Sequence, residues 1–551
     1  MSAATIRELG EELWAWRSRA AFRTSDDIPR IDHEPGWMPE LTLSAIDDRR
    51  ERAAEFRGRW RALDTTALPV SDLVDHRLLG SALARISWEL DLLRTWERDA
   101  VFCVGQALGP YYDLLLPGPP LGQARQRALT QVLRAVPAQL DLADAHLARA
   151  GWAPLARAAV RLLDGIEEIL PASVDAAADL VDADRRADLR GAGREAASAL
   201  AAFAGRLDAG AGAMAPATPV GRERFVWFLR HVALLPSEPE ELVAAAQREY
   251  HRAVVWETLE RNRRRDEPLP PLPASAADQV ASHARAEAQV RAFCEREGLL
   301  SHPAWLQRYL TAEIPPYLEA LEWLGVSDDL TSATRLHSDA VSYTPRPRAD
   351  LPYFYAANAR DPRLGIIHEG AHHKQLALSW AHERPIRRHY YDSAANEGIA
   401  FYHEEMMLQA GLFDDAPRSA EVVHNFNRLR ALRVIVDINL ATGAYDLDTG
   451  ARAFVEQVPM DEETAFTETA FYLATPGLAM TYLVGKLELL RLEADAIAAQ
   501  GDGFSLRRFH DHVWRNGNVP FSLQRWELLG DRSDLDAIDA VVLTPEAGAA
   551  P

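Results

Sequence analysis

The sequence predicts a mainly α-helical protein, and three observations carry that reading. Ala, Leu, Glu and Arg, all good helix formers, dominate the chain. Apolar residues recur with a 3.6-residue period through one long segment after another. Stretches rich in aromatic and β-branched residues are confined to about 330–360, so strands are a minor element. Hydrophobic residues make up 48% and charged residues 26%, an ordinary globular balance for a 551-residue chain that can bury a large core.

Taken in order, residues 1–24 read as a helix carrying Leu9, Leu13, Trp14 and Trp16. Asp26, Asp27, Pro29, Pro35 and Pro39 make 25–42 an irregular crossing. Amphipathic helices follow at 43–64 and 70–97. Gly109-Pro110 and Pro117-Gly118-Pro119-Pro120 predict a loop over 108–121. Further helices are expected at 123–150, 153–169, 174–209, 239–263 and 276–298, with Pro268, Pro270, Pro271 and Pro273 breaking the series. Their Leu and Ala stripes are core faces. Ala340–Tyr343 and Tyr353–Ala356, set between prolines, read as short strands or extended segments, an edge to which a peptide could add. Helices are expected again at 419–441, 449–457, 461–473, 477–500 and 505–515.

One stretch carries chemistry. Gly365-Ile366-Ile367-His368-Glu369-Gly370-Ala371-His372-His373 contains His-Glu-x-x-His. On a helix, His368 and His372 leave one face a turn apart, a separation that suits two nitrogen ligands on one zinc ion. Glu369 between them is placed to act as general base on a metal-activated water. Asp361-Pro362 is a good helix start and Pro385 marks the far end. A zinc site of this kind wants a third protein ligand, and Glu397 is the candidate. It falls in the first turn of a second helix that Ser393 would cap and Gly411 would stop. The organisation that results is a helical scaffold over 1–330, a zinc-site region over 331–535 and a flexible tail over 536–551, acting as one continuous unit.

Composition excludes other classes. A net charge of −21 argues against a nucleic-acid surface. Lys occurs only at 374 and 486, a coding bias that leaves Arg as the other basic residue. Two cysteines, Cys103 and Cys294, exclude a disulfide scaffold and a Cys-rich metal site, and are expected as buried thiols of a cytoplasmic protein. Met1–Trp16 is acidic and amphipathic, unlike a signal peptide, and no 18-residue apolar run predicts a membrane span.

Several motifs then resemble a known family in order. Glu397-Gly398-Ile399-Ala400-Phe401-Tyr402-x-Glu404 is similar to a Glu-Gly-Trp-Ala-Leu-Tyr-x-Glu signature, and Arg433-Val434-Ile435-Val436-Asp437 to Arg-Leu-Val-Val-Asp. Pro476-Gly477 through Tyr482 to Gly485-Lys486, and Phe509-His510-Asp511 through Gly517-Asn518-Val519-Pro520, resemble two C-terminal signatures. The family is the bacterial domain of unknown function 885, similar in fold to the thermostable carboxypeptidase type of helical zinc metallopeptidase. The resemblance is strong over about 340–530 and looser before that. It implies a clam-like helical cleft, walled on one side by the N-terminal scaffold, with the zinc helix near its floor. It implies His368, His372 and Glu397 as ligands, Glu369 as base, and Tyr482 and His510 as stabilisers of an oxyanion. Tyr353, Tyr355, His373, Arg433 and Tyr472 are the substrate-binding candidates.

The chain also departs from that family. It lacks a Pro-Gly insertion within the metal motif, so either His372 or His373 could match the family's ligand; i,i+4 geometry favours His372. Phe471, Leu478 and Ala441 stand where Arg, Gln and His are usual. The expected activity is a zinc-dependent hydrolase of the peptidase type, with one Zn2+ per chain, acting on a short peptide or small amide. The polar-to-apolar changes motivate a second reading, an amide hydrolase or lyase acting on a small apolar substrate in specialised metabolism. A non-catalytic helical binding protein is the third. No nucleic-acid or membrane partner is expected, and the oligomeric state, a homodimer included, is left open. The acceptors expected for the ligand histidines are Glu404, Asn396 and, by resemblance, Asp437.

Overall fold

The computed structural model describes residues 3–23, 33–325 and 327–541. Helices account for most of these, and the described strands form one small sheet. In it β1 (Tyr309–Glu313) runs parallel to β3 (Ala340–Thr344), and the two-residue β2 (Asp328–Asp329) pairs antiparallel with the other side of β3. None of the described helices is long and apolar enough to cross a membrane.

Several expected helices fall where the periodicity put them. Leu43–Arg61, Gln123–Ala150, Pro239–Arg263, Ala276–Arg296, Pro417–Thr442 and Leu447–Gln457 are examples. The differences have local causes. The segment expected as a loop at 108–121 is helical to Leu115, because Ala100–Leu115 runs straight through Pro110. Proline costs that helix one hydrogen bond, while Val104, Leu108 and Tyr111 bury completely on the same element. The 70–97 helix ends at Ser87, passes through a π-helical turn at Trp88–Leu93, and resumes at Thr95–Arg98 after Arg94 at φ 55°. Gly165 at φ +70° separates Ala153–Leu162 from Ile166–Ala178, and a turn precedes Arg186–Gly210. Tyr353–Ala356 is not a strand. It opens the helix Tyr353–Arg360, with Pro352 as its N-cap. Strand β1 and the helices Arg222–His231, Phe521–Leu529 and Ser533–Asp539 carry no signal that the periodicity detected. The last one makes 536–539 helical, not a flexible tail; 542–551 lie outside the described residues, as do 24–32 of the expected irregular crossing.

Three large hydrophobic cores span the expected division at 330, while a fourth, built on residues 100–324, takes only Tyr343 of its buried members from beyond it. One core joins Trp88, Phe228 and Leu242 to Val436, Phe454 and Leu483. Another joins Phe293 and Leu300 to Ile399, Leu489 and Trp514. A third joins the first helices, through Leu9, Leu13, Phe56 and Leu78, to Ile386, Val519, Leu523 and Ile538. Polar bonds close the same junction. Arg77 meets Asp539 at 2.6 Å, Arg387 meets Asp75 at 3.0 Å and Ser522 Oγ donates to the Leu234 carbonyl at 2.9 Å. Both cysteines are buried free thiols.

The helix Ser393–Gln409 lies between two of these cores. Ala395, Ile399 and Ala400 face one, Phe401 the other, and every residue from Ser393 to Glu404 is buried. It crosses the helix Thr481–Gln500 backbone to backbone. A Cβ on Gly485 would collide with the Ala394 carbonyl oxygen, and one on Gly398 would lie 2.5 Å from Gly485 Cα. Only glycine permits that approach. The crossing brings Glu397 and Tyr482 to the same cavity.

Candidate metal centre

The His-Glu-x-x-His segment is helical in two pieces. Asp361 Oδ1 accepts from the Arg363 N–H at 3.1 Å, capping a short helix Arg363–Ile366. The chain turns at Ile367-His368 and continues as Glu369–Trp380. His368 is therefore the N-cap residue of the second piece, not an interior position. Its carbonyl still accepts from the His372 N–H at 3.2 Å, so the one-turn spacing of the two imidazoles survives. The second helix starts one residue earlier than expected at its cap: Asp392 is the N-cap, Ser393 the first helical residue, and Glu397 lies just past the first turn. Gly411, at φ +91°, follows the helix end as expected.

The three predicted ligands converge. Glu397 Oε2 lies 3.4 Å from His368 Nε2 and 3.2 Å from His372 Nε2. Two atoms that share one zinc tetrahedrally at about 2.0–2.1 Å lie roughly 3.3–3.4 Å apart, so this spacing is that of a common ion. Glu397 Oε2 is also a buried oxygen without a hydrogen-bond partner. A buried orphan oxygen is costly unless something positive meets it. The residues fit the metal by geometry and by donor set, two imidazoles and a carboxylate. The carboxylate of Glu369, half-buried, also comes within 4.8 Å of both histidines' nitrogen atoms.

The electrostatics agree with a site built for a cation. Burial and Arg430 oppose a charge on His368, but Glu397, Glu404 and Glu369 outweigh them and push it up to about 9. Burial likewise opposes the Glu397 charge, yet His372 and His368 hold its carboxyl well below the usual range. Without an ion, a proton occupies the place where positive charge is wanted. Metal binding then releases that proton.

The expected acceptor is present for one histidine. Glu404 Oε1 lies 2.7 Å from His368 Nδ1, and Arg430 donates to Glu404 Oε2 at 2.8 Å. Asn396 and Asp437 do not serve the histidines. Asn396 Nδ2 donates to Gln375 Oε1 at 2.6 Å. Asp437 accepts from the Gly477 and Met480 backbone N–H groups at 2.9 and 2.8 Å, fixing the turn that leads into Tyr482.

Glu397 opens onto a cavity of about 520 Å3 that Tyr482, Arg433, Tyr472 and Glu468 also line. Tyr482 stacks on His368 with ring centroids 6.3 Å apart, and the Arg430 and Arg433 guanidiniums each lie 5.6 Å from its ring. Glu468 binds Arg433 Nη2 at 2.8 Å and accepts from the Tyr472 hydroxyl. Tyr482, Arg433 and Tyr472 thus line the cavity onto which Glu397 opens.

The expectations for His510, His373, Tyr355 and Tyr353 need correction, since none of the four lines the cavity onto which Glu397 opens. His510 is a satisfied core histidine with no exposed surface: Nδ1 meets the Leu299 carbonyl at 2.8 Å and Nε2 the Tyr402 hydroxyl at 2.7 Å. Burial pushes it down to about 4, and it has no free nitrogen for an oxyanion. His373 turns to the other side of its helix, where Nε2 meets the Gln307 carbonyl at 3.1 Å and the ring stacks on Tyr309. That settles the register of the motif in favour of His372. Tyr355 is tied to Glu322 at 2.8 Å and lines none of the cavities described here. Tyr353 is exposed and packs edge-on against Phe426, over which Arg430 also lies.

Sequence reasoning missed Arg430, although it sits one turn before Arg433 on the same helix. It missed Glu468, four residues before Tyr472. It also missed Asp328, which accepts from the Tyr309 hydroxyl at 3.0 Å and which burial and then the nearby Glu369 push upward; nothing in its local sequence marks it.

Two solved structures share this fold. A proposed lipoprotein of unknown function from Shewanella oneidensis matches with a TM-score of 0.70 at 14% identity, over 96% of this chain and 100% of its own. A proposed lipoprotein from Colwellia psychrerythraea matches with a TM-score of 0.72 at 14% identity, over 98% and 99%. No curated protein matches. A family described as "Bacterial protein of unknown function (DUF885)" matches residues 31–527.

Proposed function

The chain belongs to the bacterial DUF885 family of unknown function, and from its site we infer a zinc-dependent hydrolase of the peptidase type that cleaves an amide bond in a short peptide. One observation carries the reading: the buried Glu397 oxygen, without a well-formed hydrogen bond yet 3.2 and 3.4 Å from two imidazole nitrogens, beside a second carboxylate. His368, His372 and Glu397 would hold the ion. Zinc there supplies Lewis acidity toward a carbonyl and makes water easier to ionise near neutral pH.

The chain's own residues divide the remaining work. Glu369, half-buried and outside the ligand set, takes the proton of the attacking water and returns it to the leaving nitrogen. Tyr482, braced between Arg430 and Arg433, donates a hydrogen bond to the oxyanion as it forms. Glu404 and Arg430 fix the ring of His368. Arg433 and Tyr472, both bound to Glu468, form a polar wall for the substrate backbone.

A second reading has an observation of its own. Phe471 and Leu478 line the same cavity, which favours a small apolar amide as substrate, processed by hydrolysis or by a lyase reaction. The similarity to thermostable carboxypeptidases belongs to this proposal too. So does the cytoplasmic location; the description of both solved relatives as proposed lipoproteins favours an anchored one, and cell fractionation separates the two.

The test is a pair of variants. Glu369→Gln should keep zinc, measured by inductively coupled plasma mass spectrometry, and lose roughly 10²–10⁴-fold in turnover of a peptide library. His368→Ala should lose zinc and activity together. Near-full activity in Glu369→Gln sinks the mechanism. Wild-type protein that takes up no zinc would instead make this a binding protein.

A further inference from the structure

We propose that the metal cavity, onto which Glu397 opens while His368, His372 and Glu369 lie off its lining, continues into a second, largely apolar chamber that receives a bulky aromatic or alkyl group on one side of the scissile amide, with Phe471 and Leu478 as the specificity-determining residues. The inference rests on the hydrolase reading for its substrate, but on its own geometry for the site.

The second chamber holds about 480 Å3 and is walled by both halves of the chain. It shares Ser393, Phe471 and Leu478 with the metal cavity, so the two meet along that seam. Its apolar wall comes from Trp14, Trp88, Phe102, Phe228 and Met480. Charged groups also line it, and they are engaged with the protein. Arg23 pairs with Asp113 at 2.8 Å and Arg17 with Glu89 at 3.6 Å. Glu322 accepts from the Tyr355 hydroxyl at 2.8 Å, Arg85 is held within the protein, and Asp99 and Asp392 cap helices through the Val101 and Ala394 N–H groups. A ligand entering this chamber therefore meets rings and a thioether beside charges that already have partners.

The seam is built for such a ligand. Phe471 is a large apolar side chain left 37% exposed on the wall of a cleft. Leu478 is half-buried beside it, on the turn held by Asp437. Gly477, at φ +89°, lets Phe228 close on that turn; a Cβ there would lie 2.5 Å from the ring. Burying an apolar group between such surfaces is favourable in proportion to its area, and the chamber is large enough for an aromatic side chain or a medium acyl chain. The third apolar departure, Ala441, lines a smaller cavity of about 130 Å3 that shares Leu93, Thr95, Asp99, Ala474 and Pro476 with this chamber.

Metal-free protein titrated with prodan, a neutral solvatochromic naphthalene, reads the chamber without any reaction. Wild type should bind it saturably with a blue shift. Phe471→Arg and Leu478→Gln should each weaken binding by roughly tenfold or more, with unchanged melting temperatures because both side chains are partly exposed. Zinc-loaded enzyme should prefer a phenylalanyl over an alanyl amide in kcat/KM, and the Phe471→Arg variant should lose the preference. Absence of saturable prodan binding, or equal binding by wild type and both variants, overturns the proposal. Amide cleavage without it would leave the hydrolase reading and remove the chamber. Prodan binding sensitive to both positions in a protein that cleaves no amide would keep the chamber and remove the hydrolase.

Discussion

The Glu404 carboxylate shows how much a single side chain can do at this site. It touches His368 Nδ1 with one oxygen and Arg430 with the other, and it has almost no exposure. Burial opposes its charge, but Arg430 and His368 hold its carboxyl below the usual range. It therefore fixes both the tautomer and the aim of a ligand. Glu404→Gln should keep the fold, by circular dichroism, and weaken zinc by about 10–100-fold in competition with a chromogenic chelator; unchanged affinity would show that His368 needs no such support. The three candidate ligands and Glu404 were legible in the sequence because each lies in a motif of short spacing. His368 to His372 is one turn, and Glu397 to Glu404 is two turns of one helix. His510 was misread for the opposite reason. Its partners, Leu299 and Tyr402, lie 211 and 108 positions away, and no local spacing reveals which way it faces. Arg430 reaches His368 across 62 positions and escaped notice likewise.

Among the elements, the crossing of Ser393–Gln409 over Thr481–Gln500 decides whether a site exists. One helix carries Glu397 and the other Tyr482, and the contact is backbone on backbone at Gly398 and Gly485. A methyl group at either position must push the helices apart. Gly485→Ala should lower stability by about 1–3 kcal/mol, the usual cost of overpacking, seen as a fall in melting temperature together with weaker zinc binding. Loss of stability with zinc affinity intact would uncouple the crossing from the site. Periodicity found both helices, and the glycines stood out only within the resembling motifs. Where periodicity failed, another force had overridden a local rule. Burial of Leu108 and Tyr111 carried a helix through Pro110, and a proline cap turned the aromatic run at Tyr353 into a helix.

Across the whole molecule, buried neutral histidines set the response to acid. His283, His382, His403 and His510 are each pushed by burial from 6.5 down to about 4. Between those values the unfolded chain binds protons that the native protein does not, so stability rises with pH through this window and is lost on acidification. The melting temperature should fall steadily from pH 6.5 toward pH 4, measured by calorimetry; a flat profile would contradict the buried, neutral assignment. The same long-range packing explains why three of the large cores span the expected boundary at 330. The core shared by Leu9, Leu78, Val519 and Ile538 has one more consequence, and it concerns time. On a ribosome adding about 5–20 residues per second, the first helices wait roughly 20–80 s for the segment after 519 that covers them. Throughout that interval the part of their apolar surface that meets Val519, Leu523 and Ile538 has no native cover, so the nascent chain must be shielded or must hold a provisional packing. The helices Phe521–Leu529 and Ser533–Asp539 then act as the latch that closes this core.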